Sequence, residues 1–518
     1  MKKQRIFGLI LAAWLATPQS PALHAQANRL GEDLTYRAEA TGQFGSGDFA
    51  PLWLNANRYG VGTTKNNSGY LRAAISRDIK TDSLRRWQMG YGADVVVPFS
   101  HQSNFTLQQL YADGSFRGIV SLSIGQKERP LELKNQQLSS GGMAMGINAR
   151  PIPQVRFDLG PDFVVIPGTK NWFALKGHIA YGWYTDNAWQ REFNGGKATT
   201  CYSANSRYHS KAGFLRVGNT DRFPLQLTLG IEMEAQFGGE VWNIRDRVDH
   251  QNDGSWSTHQ KLEGGLKAYW HAFIPGGSDS NDGDYANVQG NQLGSWHARL
   301  DYKGKGWSAA VYGEHFFEDH SQMFWQYAWK DWLIGAELNL PKNPVVSTLL
   351  YEHLRTTDQS GPIYHDITPN QPTPSYSIDN YYNHHIYGAW QHAGFSMGTP
   401  LLISPLYNQP GRQFGLSGNI FCYDNRVTAH HFGLSGAPCP QLSWRFLFTH
   451  ERSLGSYDLP RTNPAFGNFL LVEASYHPRQ MPGLNVTASY AQNGGELLGR
   501  SKGAMITLSY AGWLNKKR

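Results

Sequence analysis

Cysteine, charge and long apolar runs are all scarce in this sequence. Three cysteines, Cys201, Cys422 and Cys439, are spread over 518 residues. An odd and low count excludes a disulfide-stapled scaffold. Cys422 and Cys439 can pair in an oxidising compartment, or all three can stay free thiols. Charged residues make up 17% of the chain, with a net charge of +7. Past the N-terminus no stretch reaches the roughly 18 consecutive apolar residues that a membrane helix needs. A helical membrane bundle is therefore excluded, and so weak a basic excess in so long a chain argues against a nucleic-acid partner.

What is abundant is aromatic residues and glycine: 17 Trp, 26 Tyr, 25 Phe and 56 Gly. That balance suits strands better than helices. The chain opens with MKKQRIFGLILAAWLATPQSPALHAQA, a basic n-region followed by an apolar run from Ile6 to Ala16 and small residues at Ala25 and Ala27. This predicts a secretory signal peptide over residues 1–27. Its removal takes three basic residues and lowers the net charge to +4.

The dominant period is two. In NWFALKGHIAYGWYTD, Phe173, Leu175, Ile179, Tyr181 and Trp183 share one face, and Lys176 and His178 lie on the other. LQLTLGIEMEAQF (Leu225–Phe237) has the same beat, as do runs starting at Val120, Leu484 and Ala504. Runs of about nine to thirteen residues exceed the usual soluble strand and match a tilted strand crossing a bilayer. Short turns such as YKGKG (Tyr302–Gly306) alternate with long polar loops from Arg191, Ile274 and Thr356. A bilayer forbids open sheet edges, so these features predict one all-β domain over residues 28–518: a single transmembrane antiparallel β-barrel.

Motifs for chemistry are few. GSGDFAP (Gly45–Pro51) fits a dinucleotide pattern but no helix follows it, so it reads as a turn. SDSNDGDY (Ser278–Tyr285) misses the spacing of a calcium loop. No G-x-S-x-G elbow is present. GEHFFEDHS (Gly313–Ser321) holds two histidines five apart, one residue too long for a zinc helix. Upstream of it WSAAVYGE alternates as a strand, which turns Glu314 toward the lumen and sets Glu318, Asp319 and His320 at or beyond the strand end. No cofactor or metal is expected. DNYYNHH (Asp379–His385) combines aromatics, carboxylate and amide, as a sugar site requires. Tyr381 and Tyr382 suit an interface girdle equally well.

Several segments then resemble the capsule assembly Wzi family. They are LSSGGMAMGINARPIPQVRF (Leu138–Phe157), WFALKGHIAYGWYTD (Trp172–Asp186), EHFFEDHSQM (Glu314–Met323), SGPIYHD (Ser360–Asp366), DNYYNHHIYGAWQHAGFSMGTPLL (Asp379–Leu402) and NRVTAHHFGLSG (Asn425–Gly436). The chain is most similar to the branch found in Bacteroides-like bacteria. The resemblance implies an outer-membrane barrel of about 18 strands that holds exported capsular polysaccharide at the cell surface without catalysis. Enterobacterial members carry a helical segment before the barrel that blocks its periplasmic end. Here LTYRAEATGQF reads as a strand directly after the cut, so the resemblance does not carry over that helical plug. The last strand is also followed by LNKKR rather than ending on an aromatic residue.

The expected partners are capsular or other surface polysaccharide and outer-membrane lipid, with the protein a monomer. Expected contacts or organisers are Glu314, Glu318, Asp319, His320, Asp379, Tyr381, Tyr382 and His384, with Arg150 and Lys176 as cations for an acidic glycan. A passive outer-membrane channel and a barrel hydrolase acting on lipid or glycan are the alternatives.

Overall fold

The computed structural model describes residues 31–515 apart from 83–84, 102, 198–199, 246–255, 276–289, 319–322, 324–328, 342, 344, 360–378 and 409–417. Its frame is a sheet of eighteen strands. The first nine are β1 (Thr35–Gly47), β2 (Ser68–Arg77), β3 (Trp87–Phe99), β4 (Thr106–Phe116), β5 (Val120–Gln126), β6 (Gln154–Val165), β7 (Phe173–Trp183), β8 (Arg207–Val217) and β9 (Leu225–Phe237). The second nine are β10 (Asn291–Lys303), β11 (Ser308–Glu318), β12 (Trp332–Asn339), β13 (Thr348–Arg355), β14 (Val427–Cys439), β15 (Leu442–Gly455), β16 (Pro460–Tyr476), β17 (Leu484–Gly495) and β18 (Ser501–Trp513). Each strand pairs antiparallel with its neighbours in sequence. The last strand closes on the first, with Trp513 opposite Thr35 and Ser501 opposite Gly47. Closure leaves no row of unpaired backbone groups, the condition for a sheet to sit in hydrocarbon. The glycine pattern at Gly45–Gly47 ends β1 rather than forming a turn: antiparallel pairing with Ser501–Gly503 satisfies its backbone.

Period two sorts the side chains. On β7, Phe173, Ile179 and Trp183 are exposed while Ala174, His178 and Ala180 are buried. Exposed Leu71, Ile75, Val97, Ile124, Val311, Ile334, Val472 and Ile506 continue this apolar band on other strands. Exposed aromatics flank it. Trp87, Phe173, Trp307, Tyr476 and Trp513 lie toward the end with short turns, and Phe44, Phe99, Trp183 and Phe466 toward the end with long loops. These are the two aromatic girdles of a bilayer-spanning barrel.

Two eight-residue helices in the long loops, α1 (Asn187–Asn194) and α2 (Leu266–Phe273), escape the sequence reading because two turns give too little 3.6-residue period. Helix α2 lies against the outside of β9, where Ala268 and Ala272 cover Ala235 and Phe237. That is why the outward positions at the end of β9 are buried.

The lumen is filled. Segments 48–67, 127–153 and 379–426, where described, fold inward and build a core with the inward-facing side chains of the wall. Trp53 Nε1 donates to Thr449 on β15 at 3.1 Å. Leu52 N donates to Asn493 on β17 at 3.0 Å, and Arg58 pairs with Glu473 on β16 at 3.0 Å. Tyr381 packs on Phe316 of β11 and Trp390 on Tyr208 of β8. The inner segments also hold each other: Gly146 N donates to Met397 O at 2.7 Å and Trp390 Nε1 to Ala144 O at 2.8 Å. Gly398 sits where the packing is tight, since an added Cβ would collide with the Tyr382 hydroxyl and the Met143 carbonyl. No helix precedes β1 among the described residues, and internal segments occupy the barrel.

The cysteines are all free. Cys422 is buried in the lumen core, whereas Cys439 is exposed at the short-turn end of β14, so the pairing of these two is not realised.

Candidate functional site

The inner anchoring site grows from two carboxylates that the strand period turns inward. Glu314 on β11 pairs with Lys134, and its other oxygen accepts Met143 N at 2.7 Å. Lys134 Nζ also donates to Gly141 O at 2.9 Å. Their side chains are 1% and 2% exposed, so this is a dry ion pair whose remaining bonding capacity is met by backbone. Glu352 on β13 accepts Ser139 Oγ at 2.7 Å, Ser140 N at 2.7 Å, Ser140 Oγ at 2.5 Å and Tyr312 OH at 2.6 Å. His431 on β14 completes the seat, with Nε2 2.7 Å from Leu138 O. Strands β11, β13 and β14 thus strap the LSSGGMA stretch to the wall. Glu352 escaped the sequence reading; its inward phase beside Leu350 and Leu354 was the available signal.

The other expected residues divide by location. Glu318, the last residue of β11, accepts Tyr382 N at 2.7 Å. Tyr381 and Tyr382 are both fully buried, so neither stands in a lipid-interface girdle or on an open sugar platform. The Tyr382 hydroxyl donates to Met143 O and accepts Thr399 N at 3.0 Å. Burial pushes both phenols well above their usual range. His384 Nδ1 accepts Ile386 N at 3.1 Å, and burial followed by the adjacent His385 pushes its pKa well down. Arg150 lies in an inner segment, where its carbonyl receives His392 Nδ1 at 2.8 Å and its guanidinium reaches Ser103 at 3.4 Å. Burial lowers its pKa. Lys176 is committed to Glu132, at 2.9 and 2.7 Å from its two oxygens. Asp379 is half-buried at the start of the described part of its loop. Asp319 and His320 lie outside the described residues, as do all of SGPIYHD and all of SDSNDGDY.

A cavity of about 230 Å³ remains between segment 127–146 and the β4–β9 side of the wall, with Asp113, Lys127, Arg129, Arg156, Glu232 and Glu234 among the residues that line it. Toward the long-loop end, a small sheet of Tyr202–Ala204, Glu240–Arg245 and Trp256–Lys261 carries half-buried rings. Tyr202 and Trp242 stack at 6.3 Å and 7°, and His259 lies 4.2 Å from Trp242. His259 also meets Glu240 at 2.9 Å. Trp189 and Phe193 of α1 form a second stack at 4.8 Å. Flat rings beside carboxylate and imidazole suit the apolar face and hydroxyls of a pyranose. Sequence reading passed over these rings because they come from two loops that only the fold brings together.

A closed antiparallel barrel of eighteen strands with aromatic girdles and a filled lumen defines the class: an outer-membrane-type β-barrel. No protein-family model and no curated protein matches the chain. Among solved structures it is similar to Wzi of Escherichia coli, described as an outer-membrane protein involved in group 1 capsule assembly and a carbohydrate-binding β-barrel. The two share 14% identity and a TM-score of 0.53, over 95% of this chain and 89% of that one. It is also similar to Pseudomonas aeruginosa OccK3 (12% identity, TM-score 0.44, 95% and 99% covered) and to Acinetobacter baumannii OccAB2 (11%, 0.43, 93% and 98%).

Proposed function

We propose that this protein is an exported outer-membrane barrel that binds and retains surface polysaccharide, with its long-loop end outward. The observation that carries the reading is the filled lumen: Glu314 and Glu352 fix segment 127–153 across the barrel, and apolar packing joins it to segment 379–426. A barrel so packed is poorly suited to passing solutes, which weighs against the passive-channel alternative. The carbohydrate-binding description of Wzi supports the same direction. On this reading the wall and plug form a rigid base. The rings Tyr202, Trp242, Trp189 and Phe193 and the polar groups beside them offer contacts, and weak contacts repeated along one polymer add by multivalency. Glu314, Glu318, Tyr381, Tyr382 and His384 act as organisers beneath that surface. Short turns facing the periplasm and long loops facing outward is the usual sense of such barrels.

The experiment is deletion of the gene with comparison of cell-bound and shed polysaccharide, beside conductance of the purified protein in planar bilayers. Loss of cell-bound polymer with a silent bilayer is the expected pair of results. Unchanged retention together with a large steady current would replace this reading with the channel.

A further inference from the structure

The lipid-facing wall carries a region that breaks its own rule. At the long-loop end of β13, β14 and β15 the outward positions hold cations and imidazoles in place of aliphatic groups. Arg355 on β13 stands opposite Thr428 on β14, and Thr428 stands opposite Arg452 on β15. Arg426 precedes β14 by one residue and is tied by backbone bonds to Leu454 and Gly455. With strands about 4.8 Å apart, the backbone positions of Arg355 and Arg452 lie about 10 Å from each other around Thr428. One step down the wall, His353, His430 and His450 form a single row in register. The His353 and His430 rings are 4.7 Å apart, and Tyr351 OH lies 2.8 Å from His430 Nδ1. Below them Tyr351 and Phe432, 5.0 Å apart, are exposed at the top of the apolar band.

We propose that this face binds the phosphorylated glycolipid of the outer leaflet, its phosphates on the arginines and its acyl chains against the rings and aliphatic wall below. The inference rests on the long-loop end facing outward. The order down the wall is guanidinium, imidazole, aromatic, aliphatic, and it matches such a lipid from headgroup to chain. Charge favours an anion. Among the described residues, the ion pairs made by Arg355, Arg426, Arg452 and Lys330 involve two carboxylates, with Arg355 and Lys330. Asp331 lies 3.8 Å from Arg355 and is almost fully buried, and Asp358 pairs with Lys330 at 3.2 Å. Arg426 spends its Nε on Thr357 O at 3.3 Å and stacks on Tyr457 at 3.7 Å. Arg452 is exposed and makes no ion pair with another described residue. Guanidinium groups match phosphate oxygens in a two-point fork, which an internal structural role for Arg452 would not need. At the membrane interface such residues are tolerated, whereas deeper in the hydrocarbon they are not.

The test is native mass spectrometry of the purified full-length protein in detergent, titrated with bisphosphorylated lipid A and with the same lipid after phosphate removal. Wild type is expected to hold the bisphosphorylated form at least tenfold more tightly than the dephosphorylated form. R355A/R426A/R452A is expected to lose that preference, and R452A alone, which breaks no ion pair among the described residues, to weaken binding about threefold. Lys502→Ala on outward β18, away from the patch, is expected to change nothing. Equal binding of both lipids by wild type, or wild-type binding by R452A and the triple variant, overturns the proposal. Full competition by millimolar inorganic phosphate would also overturn it, reassigning the patch to a free-anion site. Polysaccharide binding does not enter the readout, so failure here and failure of the retention reading are separable.

Discussion

Glu352 and His353 are neighbours in sequence and face opposite worlds. Glu352 points into the lumen and accepts four hydrogen bonds from Ser139, Ser140 and Tyr312. His353 points to the lipid side and shares a row with His430 and His450. Polar groups occur on both faces, but under different rules. In the lumen Glu314 and Glu352 are held by named donors, because an unmet buried charge costs several kcal/mol. On the outer face of β13, β14 and β15 these polar groups gather toward the rim, and the middle of the nearby strands β11, β12 and β16 carries Val311, Ile334 and Val472.

The largest expected effect comes from breaking the inner face. Glu314→Ala leaves Lys134 buried without its partner and should destabilise the barrel by about 3–5 kcal/mol. Glu352→Ala strands four donors and should act similarly. Unfolding monitored by heat-dependent gel mobility checks the stability, and planar bilayers check whether the loosened plug now passes current. Unchanged unfolding and continued silence in both variants would break the comparison. Next in size, Val472→Arg places a charge on the mid-height outer face and should cost about 2–4 kcal/mol, whereas His430→Arg near the rim should cost about 0–1. Unfolding of both in phospholipid vesicles reads the difference, and equal costs would mean that depth does not order this face.

A smaller effect is expected above the barrel. Trp242→Ala should weaken polysaccharide binding about three- to tenfold, from a stacking contribution of about 0.5–1.5 kcal/mol, with unfolding unchanged. Glycan binding by surface plasmon resonance on immobilised protein checks it. The smallest effect is on pH. His101, in the β3–β4 loop with Nε2 3.1 Å from Val61 O, has its pKa pushed down to about 4 by burial, and buried His384 and His392 are also lowered. A histidine depressed in the folded state contributes stability that is present above its unfolded pKa near 6.5. That stability is lost as pH falls toward 4. The unfolding midpoint should therefore drop between pH 7 and 4.5, and His101→Gln should shrink the drop. A flat profile in wild type would show these rings to be solvated.

Much of the wall was legible in the chain. Residues Leu225–Phe237 and Phe173–Trp183 emerge as β9 and β7 with the predicted bounds, because period two is a local property of a pleated strand. Glu314 pointing inward followed from the same alternation in WSAAVYGE. The seating of segments 127–153 and 379–426 was not legible. LSSGGMA and DNYYNHH carry no period, and their partners sit on strands from 64 to 293 residues away. Tyr381 and Tyr382 show the limit most clearly: composition allowed a sugar platform or a lipid girdle, and packing against Phe316 made them core.

The sequence alone determined that a long, amphipathic, alternating chain without apolar helices must close its strands into a barrel, since a bilayer leaves no other way to satisfy the backbone. Only the tertiary structure decided what fills that barrel and what gathers on its outer rim. Both depend on which distant side chains meet: Lys134 with Glu314 inside, and Arg355, Arg426 and Arg452 around Thr428 outside. Strand register and chain closure set those meetings, and neither is a property of any local stretch of sequence.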